Sequence, residues 1–97
     1  MTDHNDTQNI NPELLKDRRF QNLLGKAATH QRKFRPSETK TLEKDDLLMK
    51  TLLERTQTCW LALKNARQSG MTMQEAQEVA FPIILLPDEK DESVPQR

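Results

Sequence analysis

The clearest pattern of apolar and polar positions along the chain runs from residue 41 to residue 68. At 100° per residue, one arc of about 140° collects the apolar and small side chains of this segment. The arc contains Leu42, Leu48, Met49, Leu52, Leu53, Thr56, Cys59, Trp60, Leu63 and Ala66. Polar residues such as Lys50, Glu54 and Asn65 occupy the opposite side. The pattern predicts a long amphipathic helix over residues 41–68, which we expect to form the centre of the fold.

The same segment leaves two alternatives open. Part of it fits a heptad alternation, but a polar Thr56 in the seam and only about three heptads favour an ordinary bundle helix over a coiled coil. Leu47 and Leu61 fall outside the apolar arc. They are either exposed leucines without a special role or part of a second contact surface.

A second helix is predicted over residues 12–32. Phe20, Leu23, Leu24 and Ala27 share one face at helical spacing. The tripeptide at 11–13, Asn-Pro-Glu, suits a helix start, because Asn caps free amides and Pro fits the first helical position. Pro36 ends this segment, since it disfavours helical backbone at the residue before it. Residues 1–10 are polar and lack periodicity, so we interpret them as a disordered arm.

The C-terminal part of the chain predicts a short helical hairpin. Gly70 suits the end of the central helix, and Thr72 with Glu75 matches a capping box that starts the next helix. That helix is predicted over residues 73–81, and Pro82 either stops or kinks it. The charged residues 88–97 are predicted to form a disordered acidic tail.

Together these elements predict an all-α fold of small size. We expect a three-helix arrangement in a single domain over residues 11–87, with a long central amphipathic helix, a C-terminal αα-hairpin and disordered termini. The sequence contains only two Gly and no Tyr, which argues against a β-sandwich or barrel. Val, Ile, Leu and Phe make up 21 of the 97 residues, so the core is lean and a partner protein or self-association is an attractive source of added stability.

Charge is unevenly spread although the chain is neutral overall. Residues 16–40 hold eight Lys or Arg against two acidic residues. A nucleic-acid-associated accessory factor is therefore the alternative functional hypothesis, with Phe34 available to stack on a base. Its candidate contacts are Arg18, Arg19, Lys26, Arg32, Lys33 and Arg35. The neutral net charge, and the way these residues spread over a polar helix face, argue against it.

Catalytic chemistry is not predicted. Cys59 and His30 are the residue types of a thiolate–imidazole pair, but Cys59 lies on the apolar face and is expected to be a buried structural cysteine. His4, His30 and Cys59 are widely separated and lack metal-ligand spacing. We expect no enzyme activity, no cofactor, no metal and no small-molecule substrate. The sequence shows neither a signal peptide nor a membrane span, so a cytoplasmic location is expected.

The most unusual segment is the uncharged apolar run at 81–87, Phe-Pro-Ile-Ile-Leu-Leu-Pro. It either folds back onto the central helix beside Trp60 or docks into a partner. The sequence thus favours a non-enzymatic protein-interaction module, such as an adaptor, an inhibitor or a regulatory or accessory subunit. The candidate partner-binding residues are Met49, Leu53, Trp60, Phe81, Ile83, Ile84, Leu85 and Leu86.

Overall fold

The computed structural model describes residues 12–89, and every regular element in that range is helical. The elements are a 3₁₀ turn Leu14–Lys16, helix α1 Arg18–Phe34, helix α2 Pro36–Lys44, helix α3 Leu48–Gln68, helix α4 Met73–Ala80 and a 3₁₀ turn Phe81–Ile83. No strand occurs among these described residues. The all-α prediction is therefore confirmed. The arm predicted at 1–10 and residues 90–97 lie outside the described range.

Helix α1 starts later than predicted. Its N-cap is Asp17, whose carboxylate accepts a 2.8 Å hydrogen bond from the amide of Arg19. The prediction of a start at residue 12 was wrong. The side chain of Asp17 satisfies a free amide of the first turn, and the helix therefore begins directly after Asp17. Asn11, the cap expected from the sequence, lies outside the described residues.

Pro36 both ends α1 and begins α2. It occupies the first turn of α2, where its missing N–H removes no helical hydrogen bond. Residues 41–44 belong to α2, and the central helix α3 begins only at Leu48. The prediction that residues 41–47 form the first turns of the central helix was therefore wrong. Asp46 adopts a positive φ of 61° and separates α2 from α3. The amide of Leu47 donates to the carbonyl of Leu42 at 2.7 Å, which closes the end of α2 as a Schellman-type turn.

The hairpin between α3 and α4 follows the prediction closely. Gly70 has a φ of 101°, a conformation that side-chain-bearing residues rarely adopt. Thr72 and Glu75 form both hydrogen bonds of the capping box, at 3.1 and 2.9 Å. Helix α4 ends at Ala80, one residue before the predicted end, and Pro82 lies in the 3₁₀ turn that follows.

The core lies around α3, which contacts both α1 and α4. Its buried residues are Phe20, Leu23 and Ala27 from α1, Leu52, Cys59 and Ala66 from α3, and Ala76, Ala80 and Ile84 from the C-terminal part. The apolar run at 81–86 folds back onto this core, and Ile84 retains 2% of its exposure. Ile84 therefore belongs to the interior, and its prediction as a partner-binding residue was wrong.

A polar network holds α1, α2 and α3 together beside the core. Glu38 of α2 accepts hydrogen bonds from Gln31 at 2.8 Å, from Arg35 at 2.7 Å and from Arg55 at 3.3 Å. Arg55 also donates to the side-chain oxygen of Gln31, which is 1% exposed. Thr39 donates to the backbone carbonyls of Gln31 and Arg35. Each polar group of this network thus has a partner, as burial requires.

The chain after Ile84 crosses the junction between α1 and α2. A 2.6 Å hydrogen bond joins His30 Nε2 to the carbonyl oxygen of Leu86. Arg35 donates from Nη1 to the carbonyl oxygen of Pro87, also at 2.6 Å. We call residues 85–89 the C-terminal strap.

The strap ends by capping α2. The Glu89 carboxylate accepts hydrogen bonds from the amides of Ser37, at 2.8 and 3.2 Å, and of Glu38 at 3.3 Å. The Ser37 amide is the main cause that lowers the pKa of Glu89, and the charge of Arg35 adds to it. Glu89, which lies in the segment predicted to be a disordered tail, thus contacts the first turn of α2, where a carboxylate stabilises the positive end of the helix.

The Glu38 carboxylate makes stability depend on pH. Partial burial opposes its ionisation, but the hydrogen bonds from Arg35 and Gln31 and the charge of Arg55 outweigh that effect and lower the pKa to about 2 from 4.5. A lowered pKa means that the stabilisation is complete above pH 4.5 and is lost as the pH falls toward 2.

We therefore expect Glu38→Gln to lower the free energy of unfolding by about 1–3 kcal/mol at neutral pH. The difference from the wild type should shrink as the pH falls from 4.5 toward 2, which urea unfolding over a pH series will measure. Glu43→Gln, at an exposed position of α2, is the matched control and should change stability by less than about 0.5 kcal/mol. A deficit of Glu38→Gln that does not vary with pH would contradict the assignment.

Candidate functional site

An open groove of about 710 Å³ lies between α1, the C-terminal half of α3 and α4. Apolar side chains form the floor of the groove, and polar side chains form its rim. The lining residues are Leu14, Asp17, Arg19, Leu23, Trp60, Leu63, Lys64, Arg67, Gln68, Met73, Gln77 and Phe81. The volume lies within the range of about 300–1,000 Å³ that is typical of binding sites. We call this surface the Trp60 groove.

Trp60 forms the centre of the floor and is held in place from the interior. Its ring meets the ring of Phe20 edge to face, with centroids 5.7 Å apart and planes at 76°. Phe20 is fully buried, so it supports the indole from below while Trp60 itself stays half-buried. A large aromatic side chain that is fixed by its neighbour loses little conformational freedom on binding.

The rim of the groove carries more positive than negative charge. Arg19 lies over Trp60, with its guanidinium carbon 5.7 Å from the ring centroid, and also pairs with Asp17 at 3.5 Å. The amide of Arg19 lowers the pKa of Asp17, which therefore stays ionised. Lys64 and Arg67 follow Trp60 at four and seven residues on α3, on the same helix face. Arg67 also donates to the carbonyl of Met71 at 3.0 Å.

The outer walls of the groove expose apolar side chains. Met73, in the first turn of α4, retains 50% of its exposure. Phe81 is half-buried, and the ammonium of Lys26 lies 5.6 Å from its ring centroid. Helix α4 and the 3₁₀ turn that follows it therefore expose the thioether of Met73 and part of the ring of Phe81 beside the indole.

The structure brings together only some of the predicted partner-binding residues. Trp60 and Phe81 line the same groove. Met49 is exposed but lies about 16 Å from Trp60 along the helix axis at 1.5 Å per residue, and Leu53 lies about 10 Å away on the same basis. Ile83, Leu85 and Leu86 are half-buried, and the first two pack against the core.

Sequence reasoning missed several residues of the groove. Lys64 and Arg67 carried a readable signal, since they continue the helical face of Trp60 and Leu63. Met73 was not among the predicted site residues, and the structure exposes it beside the groove. Leu14 had no signal, because its position depends on a 3₁₀ turn before α1.

The residues predicted for nucleic-acid contact differ in their exposure and in the side chains that they contact. Five of the six are exposed, namely Arg18, Arg19, Lys26, Arg32 and Lys33, and Arg19 and Lys26 also lie beside aromatic rings of the groove. Arg35 is half-buried and donates to Glu38 and to Pro87. Its side chain is thus engaged within the fold, and its contact with nucleic acid stays a prediction.

Phe34, the residue predicted to stack on a base, contacts side chains of its own helix. Its ring centroid lies 4.5 Å from that of His30, and the ammonium of Lys33 lies 5.3 Å from it. The ring is half-buried in this arrangement. A base would therefore have to compete with contacts that Phe34 already makes within α1.

The chemistry of Cys59 is that of a core residue. Its side chain is fully buried, and this burial raises the pKa of the thiol to about 11. His30 is bonded to the Leu86 carbonyl rather than to the thiol. Among residues 12–89, no three His, Cys, Asp or Glu side chains are arranged to hold a metal ion. Within the same range, no helix combines the length and the apolar character that a membrane crossing requires.

We expect the Cys59 thiol to react with a thiol-specific reagent only when the chain unfolds. Because it is the single cysteine of the sequence, labelling reports on this position alone. The labelling rate should be slow in native buffer and rise with urea in parallel with loss of helical circular dichroism. Labelling of the native chain as fast as that of the denatured chain would show that the thiol is accessible.

Comparison of the chain with protein-family models, with curated proteins and with solved structures gives no match in any of the three. The function of the Trp60 groove is therefore inferred from its geometry and chemistry.

Proposed function

We propose that this chain is a non-enzymatic protein-interaction module that binds a partner protein through the Trp60 groove. The observation that carries the proposal is a supported, half-exposed Trp60 in an open apolar groove with Arg19 above its ring. Trp and Arg are enriched among the residues that dominate binding energy at protein interfaces. The same surface suits an adaptor, an inhibitor or an accessory subunit of a larger assembly.

Pre-organisation of the groove supports a binding role. The buried Phe20 packs edge to face against the indole, and the exposed Arg19 guanidinium lies 5.7 Å from the centroid of the indole ring. A partner that places an apolar side chain here would remove water from Trp60, Leu63 and Met73 together. Burial of apolar surface contributes about 25 cal/mol per Å² before the costs of association.

The groove is a poorer match for an enzyme active site. Its ionisable residues are Asp17, Arg19, Lys64 and Arg67. Asp17 caps α1 and pairs with Arg19, while Arg67 donates to the carbonyl of Met71 in the turn after α3. General acid–base or nucleophilic catalysis calls for groups with tuned pKa values that converge on one point. These side chains instead form hydrogen bonds at helix ends or lie at the rim of the groove.

Site-specific photo-crosslinking in cells tests the proposal. A photoreactive residue at position 73, on the groove wall, is expected to give a covalent adduct with a discrete partner protein. Position 61 is the matched control, because Leu61 is 48% exposed, follows Trp60 directly and does not line the groove. The adduct from position 73 should weaken at least about tenfold in a Trp60→Ala background, since an aromatic anchor dominates such interfaces.

Two results would contradict the proposal. One is equal adduct formation from positions 73 and 61, which would indicate random encounters. The other is an adduct from position 73 that survives Trp60→Ala unchanged in a chain whose helical content is intact. Trp60→Phe, which retains a ring against Phe20, separates loss of the anchor from loss of the fold.

The nucleic-acid alternative makes a separate prediction. If the exposed residues Arg18, Arg32 and Lys33 follow a phosphate backbone, affinity for nucleic acid should fall steeply with rising salt and weaken in Arg32→Ala/Lys33→Ala. The proposed function expects neither effect, only weak binding that these substitutions leave unchanged. A fluorescence-anisotropy titration with a short labelled oligonucleotide at several salt concentrations measures both.

A further inference from the structure

The basic and apolar residues of the Trp60 groove lie in a fixed order along α3, and that order restricts what the groove can hold. Trp60 and Leu63 come first, followed by Lys64 and Arg67 on the same helix face. The rise from Trp60 to Arg67 is about 10 Å, or two helical turns. Arg19 adds a third cation from the opposite wall, against the single carboxylate of Asp17.

Resting on the proposed function, we propose that the occupant of the groove is an acidic amphipathic helix. Its apolar face would lie against Trp60 and Leu63. Its carboxylates, one to two turns further along, would meet Lys64 and Arg67, with Arg19 meeting a carboxylate from the other side.

Backbone hydrogen bonding favours a helical occupant over an added β-strand. A peptide that binds as a β-strand needs a strand edge to pair with its amides and carbonyls, and residues 12–89 contain no strand. The ends of the neighbouring helices are also engaged: Asp17 caps α1, Thr72 caps α4, and Arg67 donates to the carbonyl after the end of α3. A helix satisfies its own backbone and presents side chains at intervals of three and four residues.

Charge complementarity favours an acidic occupant over a neutral or basic one. The rim has three cations and one anion, and the anion already pairs with Arg19 at 3.5 Å. A basic helix would bring like charges to Lys64 and Arg67 at close range, and such pairs disfavour a complex. An acidic helix gains rim contacts that depend on ionic strength.

The chain itself provides the reporter for a test. Trp60 is the only tryptophan and the sequence contains no tyrosine, so near-ultraviolet emission comes from the groove alone. The probes are two synthetic amphipathic helices of about 18 residues. Both carry leucines at i, i+3, i+4 and i+7 and neither contains Trp or Tyr. One has glutamates flanking the leucines and the other has lysines at the same positions.

Titration of the full chain with each peptide should change Trp60 emission. The glutamate peptide is expected to bind about tenfold more tightly than the lysine peptide, and its affinity should fall as salt rises from about 50 to about 500 mM. Lys64→Glu should narrow this preference, and Lys64→Glu/Arg67→Glu should reverse it. Lys40→Glu makes the same charge change on α2 outside the groove and should leave the preference unchanged.

The outcomes separate this inference from the proposed function. Equal affinity for the two peptides, or a preference that Lys64→Glu/Arg67→Glu leaves intact, overturns the acidic occupant while the groove remains a binding surface. Failure of both peptides to change the emission overturns the inference, and the crosslink from position 73 then decides the proposed function by itself. Emission that varies with protein concentration, with a matching rise in mass by light scattering, assigns the groove to a second copy and overturns the inference. A change in Trp60 emission that Asp3→Asn/Asp6→Asn causes in the absence of peptide assigns the groove to residues 1–11 and also overturns the inference.

Discussion

The arrangement of the N-terminal half depends on one carboxylate. Glu38 accepts hydrogen bonds from Gln31 of α1, from Arg35 between α1 and α2, and from Arg55 of α3. Gln31 is 1% exposed, so loss of Glu38 would leave a buried amide group without one of its partners. An ionised group that satisfies three neighbours fixes how the helices are placed in a way that apolar contacts alone do not, because its geometry is directional. The placement of α1 against α3 is also what forms one wall of the Trp60 groove.

The composition of the core explains why a groove remains open. Ala66, Ala76 and Ala80 lie buried in the α3–α4 hairpin, where small side chains let the two helices approach closely. Large apolar side chains are concentrated elsewhere, with Leu23 and Leu52 in the core and Ile84 brought in from the segment after α4. Among residues 12–89, the indole of Trp60 stays half-buried between α1 and α4. The small core and the half-buried Trp60 thus have the same cause, which is the small number of large apolar residues in the chain.

Features governed by local rules could be read from the sequence. The αα-turn was predictable because Gly70 and the Thr72–Glu75 box act within a few residues, and the apolar stripe of α3 was predictable from its period. The break at Asp46 was not, because a non-glycine residue in the left-handed region gives a weak signal. The Glu38 network and the capping by Glu89 were also missed, since they join residues that are distant along the chain. For the candidate site, the anchor Trp60 could be predicted, whereas the opposite wall with Leu14 and Arg19 depends on tertiary packing.

The C-terminal strap has a consequence for the order in which the molecule assembles. Its contacts join residues that are far apart in sequence, since Leu86 follows His30 by 56 positions and Glu89 follows Ser37 by 52. The turn between α3 and α4, in contrast, is closed by a hydrogen bond from the amide of Met71 to the carbonyl of Ala66, five positions earlier in the sequence. Loop-closure entropy rises by about 0.6 kcal/mol for each doubling of loop length, so the hairpin can form early and the strap only after α1 and α2 are in place. Helix α2 therefore depends for its N-terminal cap on a residue 52 positions away, and we expect this cap to form later than the α3–α4 turn.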